Sequence, residues 1–334
     1  MDDVEHTETN RPRLALLTAD GVPDPPNLEA IRQRADVVLA RADTLAEALD
    51  GADALLLWDF FSSALRDAWH AAGSLRWVHV AAAGVDAMLF DGLREAPVVL
   101  TNAHGTFSQP IAEFVLASVL AHDKQLHRSE ALQRQGTWRH RELTRTGGSR
   151  AIVVGTGGIG RATARLLRAV GMQVQGAGRT PRDTDPDFGT VFASDELAAR
   201  VGDADHLVLA APLTEATRGI LDAQVLAAMK PSAHLVNIGR GSLVDEQALI
   251  DALRDGRIAA ASLDVVAVEP MPADHPFWQM ENVHVSAHMS GDVHGWRDEL
   301  ADQFLANLDA YIAGTPLNNV VDKDRGYVSS APAS

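Results

Sequence analysis

Three glycines at Gly155-x-Gly157-x-x-Gly160 lie between the apolar run Ala151 to Val154 and a helical pattern with Ala162, Leu166 and Ala169 on one face. At a strand-to-helix junction this spacing has a purpose: one glycine allows the turn, one admits a pyrophosphate to the backbone, and one lets helix and strand pack closely. The N–H groups of the first helical turn then face the phosphates. Glycine turns also close βα units that bind nothing, but the strand before and the helix after favour a dinucleotide site. Its members are Gly155, Gly157, Gly158, Ile159 and Gly160.

The residue that reads the adenosine ribose is expected about 20 positions further on, at the end of the next strand. There the chain reads Gly176-Ala177-Gly178-Arg179-Thr180-Pro181-Arg182. An acidic residue would accept hydrogen bonds from a free 2′-hydroxyl and repel a 2′-phosphate. Gly178 does neither, whereas Arg179, Arg182 and the Thr180 hydroxyl suit a phosphate. NADP(H) is therefore favoured over NAD(H). The plainer alternative makes both arginines solvated loop charges, and it leaves the missing carboxylate unexplained.

Three later residues stand at or just past strand ends, where ligands bind in parallel sheets: Arg240 in LVNIGRGSLVDE, Glu269 in SLDVVAVEP and His288 in VHVSAHMSG. Histidine titrates near neutrality, and a neighbouring carboxylate favours its charged form. Taken singly, an arginine there closes a surface salt bridge and one histidine among 13 is structural.

The elements that must position these residues follow from apolar periodicity. Leu14 to Leu17, Val37 to Leu39, Ala54 to Trp58, Trp77 to Val80 and Val98 to Leu100 read as strands. Asn27 to Arg34, Leu45 to Leu49 and Ser63 to Ala72 read as helices between them. Pro110 to His122 reads as a long buried helix leading out of this first α/β domain, followed by a polar stretch to Gly148 that is either a surface excursion or a subunit contact. Alternation then resumes with six strands: Ala151 to Val154, around Val174, His206 to Leu209, His234 to Ile238, Ala259 to Val265 and Val283 to Ser286. A last helix over Trp296 to Ile312, with Leu300, Phe304, Leu308 and Tyr311 on one face, is expected to return to the first domain. Two crossings make a hinge, with a ligand cleft between the domains.

The chain has 334 residues, 46 % of them hydrophobic, enough for two cores. A net charge of −16 disfavours nucleic acid and anionic membrane as partners. The absence of cysteine removes disulfides and thiolate metal ligands, and no metal is expected. The start, MDDVEHTETNRPR, lacks the basic segment and apolar core of a secretory leader, and no apolar run approaches the ~20 residues of a membrane span. A cytoplasmic protein is expected.

Over roughly Arg13 to Val321 the sequence resembles the D-isomer-specific 2-hydroxyacid dehydrogenases. The likeness rests on the glycine turn, Ala211-Pro212-Leu213-Thr214 with Thr217, Asn237 to Gly241, Asp264 with Glu269-Pro270, His288, and Asn318 to Val321. It implies two doubly wound parallel-sheet domains: a Rossmann cofactor domain over 105–289, inserted in a flavodoxin-like substrate domain formed by 1–104 and 290–334. It implies Arg240 as the clamp on a substrate's carboxylate and carbonyl, His288 as proton donor and Glu269 as its partner. Asp264 would fix the nicotinamide carboxamide, with Ala211, Pro212, Thr217, Ile238 and Gly239 at the cofactor. Ala83, Gly84, Val85 and Asp86 resemble the loop whose N–H groups take the substrate carboxylate, and Trp58, Phe60 and Phe61 stand where they would wall the pocket or pack inside it.

The resemblance further implies a homodimer formed partly through Pro110 to Leu143. Two departures are the missing acidic ribose reader and Ala287, where the family usually has proline. The activity expected is NADPH-dependent reduction of a small 2-keto acid of the glyoxylate or hydroxypyruvate kind. Phosphoglycerate or D-lactate dehydrogenases are the enzyme alternatives, and a non-catalytic, NAD(P)H-sensing corepressor-like protein is the binding alternative. Formate oxidation is disfavoured, because the histidine's partner there is typically glutamine.

Overall fold

A computed structural model describes residues 11–328; Met1 to Asn10, most of the start expected to lack a leader, lie outside them. The chain forms two compact units, one of residues up to Thr106 together with those from His294, the other Phe107–Val293.

The first unit alternates β1 (Arg13–Leu17), α1 (Leu28–Arg32), β2 (Asp36–Ala40), α2 (Leu45–Leu49), β3 (Ala54–Leu57), α3 (Ala64–Ala68), β4 (Trp77–Val80), α4 (Asp91–Glu95) and β5 (Val99–Asn102). Its sheet is parallel throughout in the order β2-β1-β3-β4-β5, the flavodoxin-like winding. Every residue of β3 and β4 is buried, which is why these strands read as unbroken apolar runs rather than as alternation. Helix α4 has no counterpart among the expected helices. It is one turn long with Gly92 inside it, and tertiary contacts hold it: the Lys323 ammonium donates to the carbonyls of Leu93, Ala96 and Val98 at 3.1, 2.5 and 3.1 Å.

The second unit runs α5 (Ser108–Asp123), α6 (Leu126–Arg134), β6 (Arg150–Val154), α7 (Gly158–Ala169), β7 (Gln173–Gly178), β8 (Arg182–Asp185) and β9 (Gly189–Ala193). It continues with α8 (Leu197–Arg200), β10 (His206–Leu209), α9 (Ala223–Ala228), β11 (His234–Asn237), α10 (Glu246–Arg254), β12 (Ala260–Leu263) and β13 (Val283–Val285). The sheet order is β13-β12-β11-β10-β6-β7-β9-β8, parallel from β13 to β9, with β8 antiparallel at the edge. This is the Rossmann order extended by one strand at each edge, β13 and β8, and it reverses between β6 and β10.

Two expectations need correction here. Six strands were expected, and β8 and β9 add to them; the segment Arg-Asp-Thr-Asp of β8 carries no apolar residue and so no periodic signal. The buried face of α7 is Gly160, Thr163, Ala164 and Leu167 with Ala162, while Ala169 is exposed and Leu166 half-buried. Because the third fingerprint glycine must abut β6, it sets the helix's rotation and turns Ala169 outward.

Past His294, α11 (Trp296–Ile312) buries Leu300, Phe304 and Leu308 within the first unit. Phe304 and Tyr311 each stack on Trp77 with centroids 5.3 Å apart. The hairpin of β14 (Val321–Asp322) and β15 (Tyr327–Val328) closes the described chain.

Candidate functional site

The glycine turn is built as its spacing requires. Gly155 has φ +108, and a Cβ there would lie 2.6 Å from the backbone of Ala210 and Ala211 at the end of β10. At Gly160 a Cβ would meet the Gly155 carbonyl oxygen at 1.9 Å, so only glycine lets α7 lie this close to the turn. Gly157 differs, because a Cβ there would meet nothing within 4 Å. The protein itself leaves that space open beside the first turn of α7, where phosphates are bound. The turn thus fits a dinucleotide pyrophosphate: two glycines are demanded by packing, and the third keeps a cradle that a side chain would fill.

At the end of β7 a Cβ on Gly178 would lie 3.0 Å from the Thr156 hydroxyl, so the carboxylate side chain usual at this place would crowd the glycine turn. Of the phosphate-reading candidates that follow, Arg182 is committed inward. Its Nε donates to Asp185 Oδ2 at 2.9 Å, and its Nη1 lies 3.5 Å from the Thr180 carbonyl. Arg179 and Thr180 are exposed on the intervening turn. Arg161, in the first turn of α7, was not singled out from sequence, yet it forms a bidentate pair with Asp185 (3.1 and 3.0 Å) and reaches Asp187 at 2.8 Å. The hint available was Arg161 and Arg165 four apart on a helix, facing the alternating acids Asp183, Asp185 and Asp187.

Arg240, Glu269 and His288 all stand past carboxyl ends of strands in this unit. Buried Asn237, at the end of β11, fixes the Arg240 loop: its Oδ1 accepts from Gly239 N at 3.1 Å and its Nδ2 donates to the Arg240 carbonyl at 3.0 Å. Gly241 is forced, since a Cβ there would lie 2.0 Å from the Val266 carbonyl. The Glu269 Oε2 and His288 Nδ1 atoms are 2.7 Å apart, with side chains about one-third exposed. Burial works against ionising Glu269. The hydrogen bond with His288 and its charge, the Val266 N–H and nearby Arg240 outweigh it, and the carboxyl is held below its ordinary value.

His288 itself adopts φ +52, a left-handed conformation costly for a residue with a Cβ. Asp264, 2 % exposed beyond β12, maintains it. Its Oδ1 accepts from Ser286 Oγ at 2.6 Å and Met289 N at 3.0 Å, its Oδ2 accepts from Ser290 N at 3.0 Å, and its carbonyl accepts from His288 N at 2.8 Å. Sequence reasoning had no access to this duty, because the partners lie more than 20 residues away.

Other candidates fall into supporting places. The Thr217 hydroxyl is used by its own loop, donating to the Pro212 carbonyl at 2.7 Å and accepting from Thr214 N at 2.8 Å. Ala211 and Ile238 are buried at the ends of β10 and β11. In the first unit, the carbonyl of Ala82 accepts from Ala103 N and that of Ala83 from Asn102 Nδ2 (3.0 and 2.5 Å). A trans peptide points its N–H opposite its carbonyl, so the N–H groups of Ala83 and Gly84 face away from those partners. Val85 is buried. Trp58 is 3 % exposed with its indole N–H on the Pro23 carbonyl, and Phe61, 67 % exposed, presents the aromatic surface instead.

Comparisons with known proteins agree with this geometry. Residues 116–290 match the profile of the D-isomer specific 2-hydroxyacid dehydrogenase NAD binding domain. A glyoxylate/hydroxypyruvate reductase A of Serratia proteamaculans is 32 % identical over 261 residues, 76 % of this chain and 82 % of that one. A D-isomer specific 2-hydroxyacid dehydrogenase of Xanthobacter autotrophicus, solved with NADPH and MES, superposes with a TM-score of 0.82 at 32 % identity, covering 95 % of this chain and 100 % of that chain. An NADPH-dependent glyoxylate/hydroxypyruvate reductase of Sinorhizobium meliloti, solved with NADP and sulfate, gives 0.80 at 28 % identity over 94 % and 99 %. Among the described residues no helix is long and apolar enough to cross a membrane. With its Rossmann unit, glycine turn and histidine–glutamate pair, the chain belongs to the D-isomer specific 2-hydroxyacid dehydrogenases and is an NAD(P)-dependent oxidoreductase.

Proposed function

We propose that this enzyme reduces a small 2-keto acid, of the glyoxylate or hydroxypyruvate kind, to the D-2-hydroxy acid with NADPH. The observation that carries the reading is the 2.7 Å contact of His288 with Glu269, beside Arg240 in the unit that bears the glycine turn. NADPH, when bound, supplies a hydride to the carbonyl carbon. His288, held through Nδ1 by ionised Glu269, gives a proton from Nε2 to the carbonyl oxygen, so that C=O becomes CH–OH. Arg240 takes the carboxylate and carbonyl in its planar fork. The N–H groups of Ala83, Gly84 and Val85 are assigned to the substrate carboxylate. Asp264, with three of about four acceptor sites on its carboxylate used, keeps one for the carboxamide. The preference for NADPH is supported by Gly178, Arg179 and Thr180, and by the NADPH-dependent relative.

The test is the initial rate of NADPH and, separately, NADH oxidation with glyoxylate, hydroxypyruvate, pyruvate and phenylpyruvate. Turnover preferring NADPH supports the reading, and the rates rank the substrates. A preference for NADH removes the phosphate-reading role of Arg179, and silence with every pair moves the assignment to a sensor.

A homodimer and a cytoplasmic setting belong to the same reading. After α6 an arm over 135–145 carries Trp138, which is fully exposed, and Leu143, 51 % exposed. The arm is nevertheless tied down, with Lys124 Nζ on the Thr144 carbonyl at 2.5 Å and Arg141 Nε on Gln125 Oε1 at 2.9 Å. A held arm presenting bare apolar side chains suits a second copy. Gel filtration at the monomer mass would count against it.

A further inference from the structure

Helix α7 and strand β8 share one buried carboxylate that the glycine fingerprint does not require. Asp185, its side chain 2 % exposed, accepts from Arg161 Nη1 and Nη2 (3.1 and 3.0 Å), from Arg182 Nε (2.9 Å), and from Asp187 N and Phe188 N (3.0 and 3.2 Å). The loop so formed is latched again from α7, where Arg165 Nη1 reaches Asp187 at 3.3 Å and Arg168 Nη1 the Asp187 carbonyl at 3.1 Å. Arg161 stands in the first turn of α7, beside the space that Gly157 leaves open, while Arg182 closes the turn through the Thr180 carbonyl. Two cations at opposite ends of one stretch, the glycine turn and the β7 loop, are thus cross-tied. Arg182 Nη2 is buried without a hydrogen-bond partner. A buried guanidinium donor left unmatched is costly, so the pair with Asp185 is what holds Arg182 in this place.

We propose that Asp185 is a positioning residue for cofactor choice: by tying Arg182 to Arg161 it holds the Arg179–Arg182 turn in the shape that receives the 2′-phosphate of the adenosine ribose. This rests on the NADPH reading and names the residue that enforces it. The carboxylate acts through the arginines, since an anion would repel a phosphate directly. Its removal therefore has two opposite consequences. Losing a negative charge tightens every adenylate, the 2′-phosphorylated one most, whereas losing the tie loosens only the one that carries a 2′-phosphate, so a fall in that preference reports the tie.

The ratio of two affinities separates these effects. Calorimetric titration of the full chain with 2′,5′-ADP and with 5′-AMP, which differ only in the 2′-phosphate, measures it without turnover. The parent should bind 2′,5′-ADP the more tightly, and in Asp185→Asn that preference should fall about tenfold while 5′-AMP binding holds or improves. Should Asp185→Asn fail to melt cooperatively, Arg182→Lys decides, because an ammonium cannot span Asp185 and the Thr180 carbonyl together; its preference should fall likewise. A parent that prefers 2′,5′-ADP with an unchanged ratio in the folded variant overturns the role of Asp185 and leaves the NADPH reading standing. A parent with no preference overturns both.

Discussion

Two histidine sites lie at opposite ends of the second unit's sheet, and each sets an imidazole against a carboxylate. Beyond the carboxyl end of β13, His288 meets Glu269 at 2.7 Å with its side chain 30 % exposed and its backbone left-handed. At the amino ends of β10 and β11, His206 and His234 are buried in an unbroken chain. Thr146 Oγ1 donates to Asp123 at 2.7 Å, Asp123 pairs with His206 Nε2 at 3.3 Å, His206 and His234 meet through Nδ1 at 3.4 Å, and His234 Nε2 meets Ser262 Oγ at 2.9 Å. His122 stacks on His234 at 4.4 Å. A carboxylate beside a histidine is therefore no mark of catalysis by itself. In the buried pair both ring nitrogens of each histidine are used by the protein. At His288 the ring is 30 % exposed on a left-handed backbone, so that, unlike the sealed pair, it stands within reach of something outside the protein.

The strongest way to break this contrast is His288→Gln. Turnover should fall by about 10²–10⁴-fold, the usual worth of a positioned general acid. The melting temperature and cofactor affinity should hold. Parent-like kcat would remove His288 from the chemistry.

His206→Ala should give the mirror image. It leaves Asp123 buried without its imidazole and should cost about 3–5 kcal/mol in urea unfolding, the range for breaking a buried pair, with kcat per folded molecule kept. A loss of activity at unchanged stability would erase the distinction between the sites.

Glu269→Gln sharpens the comparison from the other side. An amide in place of the carboxylate that meets Nδ1 removes the charged partner that orients the ring, so kcat should fall by about tenfold or more with cofactor affinity kept. A parent-like kcat would leave Glu269 without a part in placing His288.

The smallest effect is graded acid lability. Burial holds His122, His234 and His284 below the ordinary histidine value, His284 at about 4, with neighbouring histidines adding to it. The unfolded chain then takes up protons first, so the stability these groups contribute is complete above about 6.5 and is lost as pH falls toward the folded values. Asp123, held low by His206 and Thr146 against its burial, extends the loss below about 4. Urea midpoints should therefore decline between pH 7 and 4, and more shallowly in His284→Asn. A flat profile would show the buried histidines to be electrostatically inert.

Much of the site was legible before any fold was known, for a definite reason. Gly155, Gly157 and Gly160 belong to one short segment whose chemistry depends on neighbours one to five positions away, and Arg240, Glu269 and His288 each stand in a short motif at a strand end. Long apolar runs such as Ala54 to Leu57 and the helix Trp296–Ile312 are likewise read from local order. What escaped depends on remote partners. Strand β8 is wholly polar and exists by pairing with β9 and by Asp185 reaching Arg161, 24 residues away. Arg182 reads in sequence as a phosphate-binding candidate, and in the fold it is ion-paired and partly buried. Trp58 reads as pocket wall or core, and its burial and its indole bond to the Pro23 carbonyl, 35 residues away, are not encoded locally.

The sequence alone thus determined that the chain builds two parallel α/β sheets, that one carries a dinucleotide turn, and which residues are chemically equipped at its strand ends. Those are consequences of residue type and short spacing, which survive without tertiary contacts. Only the tertiary structure decided which histidine is open to exchange and which is sealed, that Asp264 grips the His288 loop, and that Asp185 joins two arginines from separate elements. Each of these depends on burial and on bonds across 20 or more residues, quantities that no local pattern encodes.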